Sequence, residues 1–280
     1  ASDYLVHLLK IEERVNAGYH QLSSDVIELL EGYAAGINYY LTKFPNENKN
    51  DIFPVDGKDL LAGFLFRTPL MFGLDWHIKT LLQNEKPDFA LNKEESSEYI
   101  MYGSNVFAIN ANRSDNGNTL LAINTHQPWE GPVTWYEAHL HSEDGLNING
   151  GLFPGSPVVL TGHNKFLGWS HTVNNPDLVD IYELTINPEN KYQYKMDGKW
   201  VDFEVDIAKI KVKLLGPLKW TFKREVLWSI HGPVIRSSHG TYAIRYAGFE
   251  KTKQVEQWYR MNKAQNIAEF EQAMQMMQIP

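Results

Sequence analysis

At 280 residues, with 43% hydrophobic and 21% charged side chains, the chain has the composition of a folded protein of one large domain or two ordinary ones, not of a disordered segment. A formal net charge of −8 disfavours nucleic acid or an anionic membrane as partner, and no run nears the ~20 apolar residues a spanning helix needs. The absence of cysteine excludes disulfides, thiol nucleophiles and thiolate metal sites.

The opening residues, Ala1-Ser2-Asp3-Tyr4, lack the basic-then-apolar order of a signal peptide. The first hundred residues read as helical. Ser24-Asp25 offers an N-cap, Val26, Leu30, Tyr33, Ile37 and Leu41 follow at three- and four-residue spacing, and Pro45 supplies a stop. After a polar stretch from Asn46 to Asp51, a second apolar region runs from Leu60 to Leu82, with a break or kink expected at Thr68-Pro69. Beyond Ser104 the pattern changes to short β-like runs. Val106–Ile109 and Leu120–Ile123 flank Asp115-Asn116-Gly117-Asn118, whose Asn-Gly pair suits a tight hairpin turn, and Asp144-Gly145 and Asp197-Gly198 repeat the device. Further strands are expected at Trp135–His141, Val158–Thr161, Leu178–Leu184, Asp206–Val212, Glu225–Ile230 and Thr241–Tyr246. Helix returns at the end, where Asn266 and Glu269 have capping-box spacing ahead of Phe270, Met274 and Met277. Helices, then many strands, then a helix predict an α+β fold rather than alternating βαβ units.

The sequence has no Gly-x-Ser-x-Gly elbow, no His-Glu-x-x-His, no Walker loop and no Gly-x-Gly-x-x-Gly, so the common hydrolase, zincin and nucleotide motifs have no local support. What remains is Gly103-Ser104-Asn105, at the junction where the helical half gives way to the apolar strand Val106-Phe107-Ala108-Ile109. A serine there is, on physical grounds alone, much more often a turn residue than a nucleophile.

Its neighbours add specificity. Gly103-Ser104-Asn105 is followed in order by Asn124-Thr125-His126-Gln127-Pro128-Trp129, by Gly162-His163-Asn164 and by Gly168-Trp169-Ser170-His171-Thr172-Val173. Asp177-Leu178-Val179-Asp180-Ile181-Tyr182, Asn187-Pro188-Glu189-Asn190, Tyr194-Lys195-Met196-Asp197-Gly198 and His231-Gly232-Pro233-Val234 continue the series, and Gly32-Tyr33-Ala34-Ala35-Gly36-Ile37-Asn38-Tyr39 precedes it. Together these resemble the penicillin acylase and acyl-homoserine-lactone acylase family of N-terminal-nucleophile hydrolases, over nearly the whole chain.

The resemblance implies αββα layering, with residues 1–103 as the helical chain and 104–280 as the start of the catalytic chain. It implies cleavage between Gly103 and Ser104 in a zymogen, after which Ser104 is both nucleophile and, through its α-amine, base. It assigns His126 to orienting the nucleophile, the alternative being a structural histidine, and the Val173 backbone N–H to the oxyanion hole. Phe153 and Trp258 match acyl-pocket positions, the alternative being plain core, and Gln127 falls where long-chain acylases have an apolar residue.

No cofactor is implied for catalysis. Asp177, Val179 and Asp180 match a structural calcium site, the alternative being a solvated Asp-rich turn. The expected partners are a small acylated amide, either penicillin-like (antibiotic) or a homoserine lactone (quorum quenching), and the remainder of its own chain. By the same resemblance the sequence reads as an internal fragment. The family's second oxyanion donor, an asparagine, falls beyond residue 280, and the fragment alone is expected to be unprocessed or inactive. The parent is expected in the periplasm or secreted. Two rival readings are a degenerate member that does not cut itself and an aromatic binding module built on 8 Trp and 14 Tyr.

Overall fold

The computed structural model describes residues 2–48, 52–87, 103–131, 133–174, 177–215 and 218–279. The fold is α+β. The helices are α1 (Ser2–Leu8), α2 (Ile11–Gly18), α3 (Ser24–Lys43), α4 (Gly57–Met71), α5 (Leu74–Leu81), α6 (Gln254–Lys263) and α7 (Ile267–Met274). The chain divides into two compact units. One comprises Ala1–Arg14, Thr68–Tyr99 and Asp177–Glu250, the other Val15–Arg67, Ile100–Pro176 and Lys251–Pro280. Each draws on residues from both sides of Gly103–Ser104.

α3 forms where its period predicts, burying Val26, Leu30 and Ala34 on one stripe. Its N-cap is Ser23, one residue before the expected Ser24, and the last turn closes just ahead of Pro45. Of the break or kink expected at Thr68-Pro69, the break falls later. α4 runs through Pro69 to Met71, and the chain turns at Gly73, whose φ of 85° belongs to the left-handed region. Near a helix end, proline removes only one backbone hydrogen bond, and the last turn closes with Phe72 and Gly73 N–H groups donating to the Pro69 and Leu70 carbonyls.

In the second unit, β1 (Gly103–Ile109) and β2 (Leu120–His126) form an antiparallel pair. Their connection is longer than a tight turn: a 3-10 turn at Ala111–Arg113 precedes the bend at Gly117, where φ is 70°. β3 (Tyr136–His141), β4 (Asn147–Leu152), β5 (Thr161–Asn164) and β6 (Gly168–Trp169) form a four-stranded antiparallel sheet in that order. Val158, Val159 and Leu160, expected to be strand, are a buried lead-in to β5. Gly150 and Gly162 face each other across β4 and β5, and a Cβ on either would lie 2.1 Å from a backbone oxygen of the other strand.

Ile148, Leu152, Val159 and Trp169 from this sheet region pack with Met261 of α6 and Ala273 of α7. α6 is locked by its polar side chains. Buried Asn262 accepts from the Val159 N–H at 2.8 Å and donates to the Val159 carbonyl at 2.7 Å, and Arg260 pairs with Asp25 of α3 at 2.6 Å. α7 begins at Asn266, whose side chain accepts from the Glu269 N–H at 3.0 Å, as the capping spacing predicts.

In the first unit, β7 (Val179–Glu183), β11 (Glu204–Leu215), β12 (Leu218–Ser229), β13 (Gly232–Ser237) and β14 (Gly240–Tyr246) make a five-stranded antiparallel sheet of order β11-β12-β13-β14-β7. β8 (Ile186–Asn187), β9 (Asn190–Met196) and β10 (Lys199–Asp202) form a three-stranded sheet, with Asp197-Gly198 as the two-residue turn from β9 to β10. Both turn residues have positive φ, 48° and 79°, as such a turn requires. Leu184, Tyr194, Phe203, Leu227, Val234 and Ala243 form one core cluster of this unit.

Candidate active site

Ser104 is the second residue of β1, and His126 is the last of β2. The ladder pairs Gly103 with His126, Ser104 with Thr125 and Asn105 with Asn124. The Ser104 hydroxyl donates to its neighbouring Gly103 carbonyl at 2.5 Å, so it lies against the peptide bond expected to be cut. Side chains alternate along a strand, and paired residues share a face. Ser104, Thr125, Val106 and Ile123 therefore occupy one face, and Gly103, Asn105, Asn124 and His126 the other. What meets at the hairpin end is the His126 ring and the Cα of Gly103, rather than the His126 and Ser104 side chains.

The ring is held from two sides. Asn105 Nδ2 lies 3.0 Å and Asn124 Nδ2 3.1 Å from His126 Nε2. On the other edge, a Cβ built on Gly103 would be 2.9 Å from Nδ1. Asn105 and Asn124 were not distinguished by sequence reasoning. The signal that exposes them is register, since an i,j pairing across β1 and β2 puts both carboxamides beside a histidine two residues along.

Val173 sits in the irregular stretch that follows β6, 47% exposed. The start of β6 abuts β2, where a Cβ on Gly168 would come 2.8 Å from Leu121 Cδ2. Among the described residues, neither Ser104 nor His126 is hydrogen-bonded to residues 170–174. That stretch meets α6 through His171, whose ring sits edge-on to Trp258 at 5.2 Å and 78°. Desolvation on that side lowers the His171 pKa below its ordinary value, although the residue as a whole remains exposed.

Phe153 is 5% exposed, with its ring 4.8 Å from that of Trp135 and the Arg67 guanidinium 5.9 Å from its centre. Trp258 is partly buried against the cluster of Ile148, Leu152 and Met261. Gln127 follows β2 directly and is half-buried.

Asp177 and Asp180 are exposed; Val179 and Asp180 begin β7, opposite Tyr246 and Arg245. Two carboxylates and one carbonyl fall short of the 6–8 oxygens calcium takes. Among the described residues no group of three or more His, Asp or Glu is placed to hold a metal, and Asp180 faces a cation across the ladder. The donors present do not by themselves fit calcium.

The family model described as penicillin amidase matches residues 1–280. The chain is 26% identical over 302 residues to the acyl-homoserine lactone acylase PvdQ of Pseudomonas fluorescens (strain Pf0-1), an alignment covering 99% of this chain and 39% of that protein. It is 28% identical over 303 residues to PvdQ of Pseudomonas putida, again covering 99% of this chain and 39% of the relative. Aculeacin-A acylase of Actinoplanes utahensis is 26% identical over 172 residues, 59% of this chain and 21% of that protein. Among solved structures, thermostable penicillin G acylase from Alcaligenes faecalis aligns with a TM-score of 0.43 and 26% identity, over 50% of this chain and 25% of that one. The chain thus spans about two fifths of the length of the PvdQ relatives.

Proposed function

The chain belongs to the penicillin amidase family, and from that premise we propose that it carries the nucleophile and the self-cleavage site of an acylase. The substrate class is a small amide bearing an acyl side chain, of the homoserine-lactone or penicillin type. The single observation that carries the reading is the end of the β1–β2 hairpin, where the Ser104 hydroxyl lies against the Gly103 carbonyl and the His126 ring stands beside the Gly103 Cα. The names of the relatives point the same way, since PvdQ and aculeacin-A acylase are both called acylases.

In the maturation step Ser104 Oγ attacks the Gly103 carbonyl carbon. The C–O bond forms, the C–N bond to Ser104 breaks, and the nitrogen takes the hydroxyl proton. Water then hydrolyses the resulting ester, leaving a Gly103 carboxylate and a free Ser104 α-amine. An α-amine titrates near ~7.7–8.0, so near neutral pH a fraction is unprotonated and able to accept the proton of its own hydroxyl, directly or through a water. In turnover the hydroxyl attacks the substrate amide, the amine departs with a proton, and water releases the acid. The Val173 N–H is the proposed oxyanion donor, worth on the order of 3 kcal/mol when well aimed. Phe153, Trp258 and Gln127 are the proposed acyl-pocket residues.

The same reading includes αββα layering, a division into chains 1–103 and 104–280, and export to the periplasm or beyond. A calcium ion at Asp177, Val179 and Asp180 belongs to it only with further oxygens from elsewhere in the protein.

The test uses protein expressed from the complete coding sequence. Intact-mass analysis is expected to show a new chain beginning at Ser104, and acid release is expected across a series of acyl-homoserine lactones and penicillins of graded acyl length. A well-folded preparation that stays one unbroken chain and releases no acid overturns the reading.

A further inference from the structure

Three polar side chains converge on one face at the open end of the β1–β2 hairpin. Asn105 and Asn124 are directly paired in the ladder, and His126 lies two residues beyond Asn124, so alternation puts all three on the same side. Both carboxamide nitrogens approach one ring atom, Nε2, at 3.0 and 3.1 Å. A carboxamide nitrogen donates and does not accept. Nε2 must therefore be the acceptor, and a neutral imidazole that accepts at Nε2 carries its proton on Nδ1.

Nδ1 is also the ring atom that faces Gly103. It lies 2.9 Å from where a Gly103 Cβ would be, nearer than Cε1 at 3.7 Å and Cγ at 3.8 Å. Any side chain at 103 would occupy that space. Glycine there leaves the Nδ1–H edge turned to the residue that supplies the carbonyl of the bond to be cut.

We propose that Asn105 and Asn124 are positioning residues that fix His126 in its Nδ1–H tautomer, so that the edge His126 turns towards Gly103 carries a proton and not a basic lone pair. The two N–H donors share the single lone pair of Nε2, one from each strand. The functional half of this proposal rests on the acylase reading; the tautomer does not.

The uncut chain is the form to test, and Ser104→Ala preserves it. With 15N-labelled histidine, long-range 1H–15N correlation spectra report which ring nitrogen holds the proton, and His126→Gln in the same background identifies the His126 signals. The expected result is a protonated Nδ1 and a bare Nε2. Asn105→Asp combined with Asn124→Asp replaces donors by acceptors and is expected to move the proton to Nε2. With Ser104 present, Asn105→Ala and Asn124→Ala are each expected to slow self-cleavage on the order of tenfold, as outer partners of an oriented imidazole do elsewhere, with the melting temperature unchanged. Finding Nε2 protonated in the Ser104→Ala chain, with both amides accepting, overturns the tautomer. Finding the expected tautomer but unchanged cleavage in both alanine variants overturns the positioning role. A natural chain that never cleaves overturns the acylase reading and with it the functional half, while the spectra still decide the tautomer.

Discussion

Gly103 stands directly opposite His126 in the β1–β2 ladder, so close that the ring nitrogen Nδ1 fills the space a side chain would need. Gly103→Ala must therefore displace the imidazole. Displacing the ring forfeits its exposed contacts with Asn105 and Asn124, which water replaces, so the effect on stability is expected to stay within about 1 kcal/mol. The cost should appear instead as slowed release of the Ser104 terminus. A melting curve set beside a cleavage time course measures both, and a variant that cleaves at the natural rate removes the ring from the reaction.

Ser104→Ala deletes one half-buried hydroxyl whose partner is the adjacent carbonyl of its own chain. The expected outcome is an intact fold, a melting temperature within 2–3 °C of the natural chain, equivalent to under about 1 kcal/mol, and complete loss of cleavage at 103–104 by intact mass. Partial cleavage in this variant would assign the nucleophile elsewhere.

Asn262→Ala acts far from the hairpin. The carboxamide satisfies both backbone groups of Val159 in a fully buried setting. Removing it strands a buried N–H and a buried C=O, each costing about 1–3 kcal/mol unless water enters. Chemical denaturation should show a loss of about 2–4 kcal/mol, much larger than for an exposed asparagine such as Asn190. A loss below 1 kcal/mol, on the order of a single ordinary hydrogen bond, would mean that water replaces the side chain.

The Asp25–Arg260 pair predicts a pH dependence. Hydrogen bonds from Arg260, more than any other influence, hold the Asp25 carboxyl down from its ordinary 3.8 to about 2. A folded-state pKa below the unfolded value gives stability that is complete above the unfolded pKa and disappears as pH falls through the folded one. Natural chain and Asp25→Asn should therefore differ most above pH 4 and converge towards pH 2. Both side chains are more than a third exposed, so solvent screening limits the difference to about 1 kcal/mol. Denaturant midpoints at pH 6, 4 and 2.5 suffice, and a gap that widens with acid contradicts the assignment.

Where a buried face is apolar, the sequence was readable. α3 shows its stripe at Val26 and Leu30, with Tyr33, Ile37 and Leu41 part-buried beyond them, whereas β1 and β2 form from the apolar runs that flank Asn116-Gly117 although Phe107, Ile109 and Leu120 are exposed. α6 was not anticipated, because the face it buries includes Gln254, Glu256, Gln257 and Asn262, and hydropathy carries no sign of a helix held by carboxamides and a carboxylate. The break misplaced at Pro69 has a similar root, in that one lost hydrogen bond near a helix end is cheaper than the local rule assumes. At the site, Gly103, Ser104 and His126 were recognisable as a motif. Their arrangement on opposite faces of the hairpin, and the part played by Asn105 and Asn124, depend on a pairing register that only the folded ladder supplies.

The Gly150–Gly162 crossing has a consequence for how this region tolerates change. At most crowded positions a larger residue is accommodated when its neighbour becomes smaller. Here the neighbour is already a hydrogen atom, and what stands in the way is main-chain oxygen. Neither position can compensate for the other, and combining Gly150→Ala with Gly162→Ala adds a second obstruction instead of relieving the first. Any accepted change must come from moving the strands apart, which would disturb the ladder that leads from β4 through β5 to β6 and on to the segment bearing Val173.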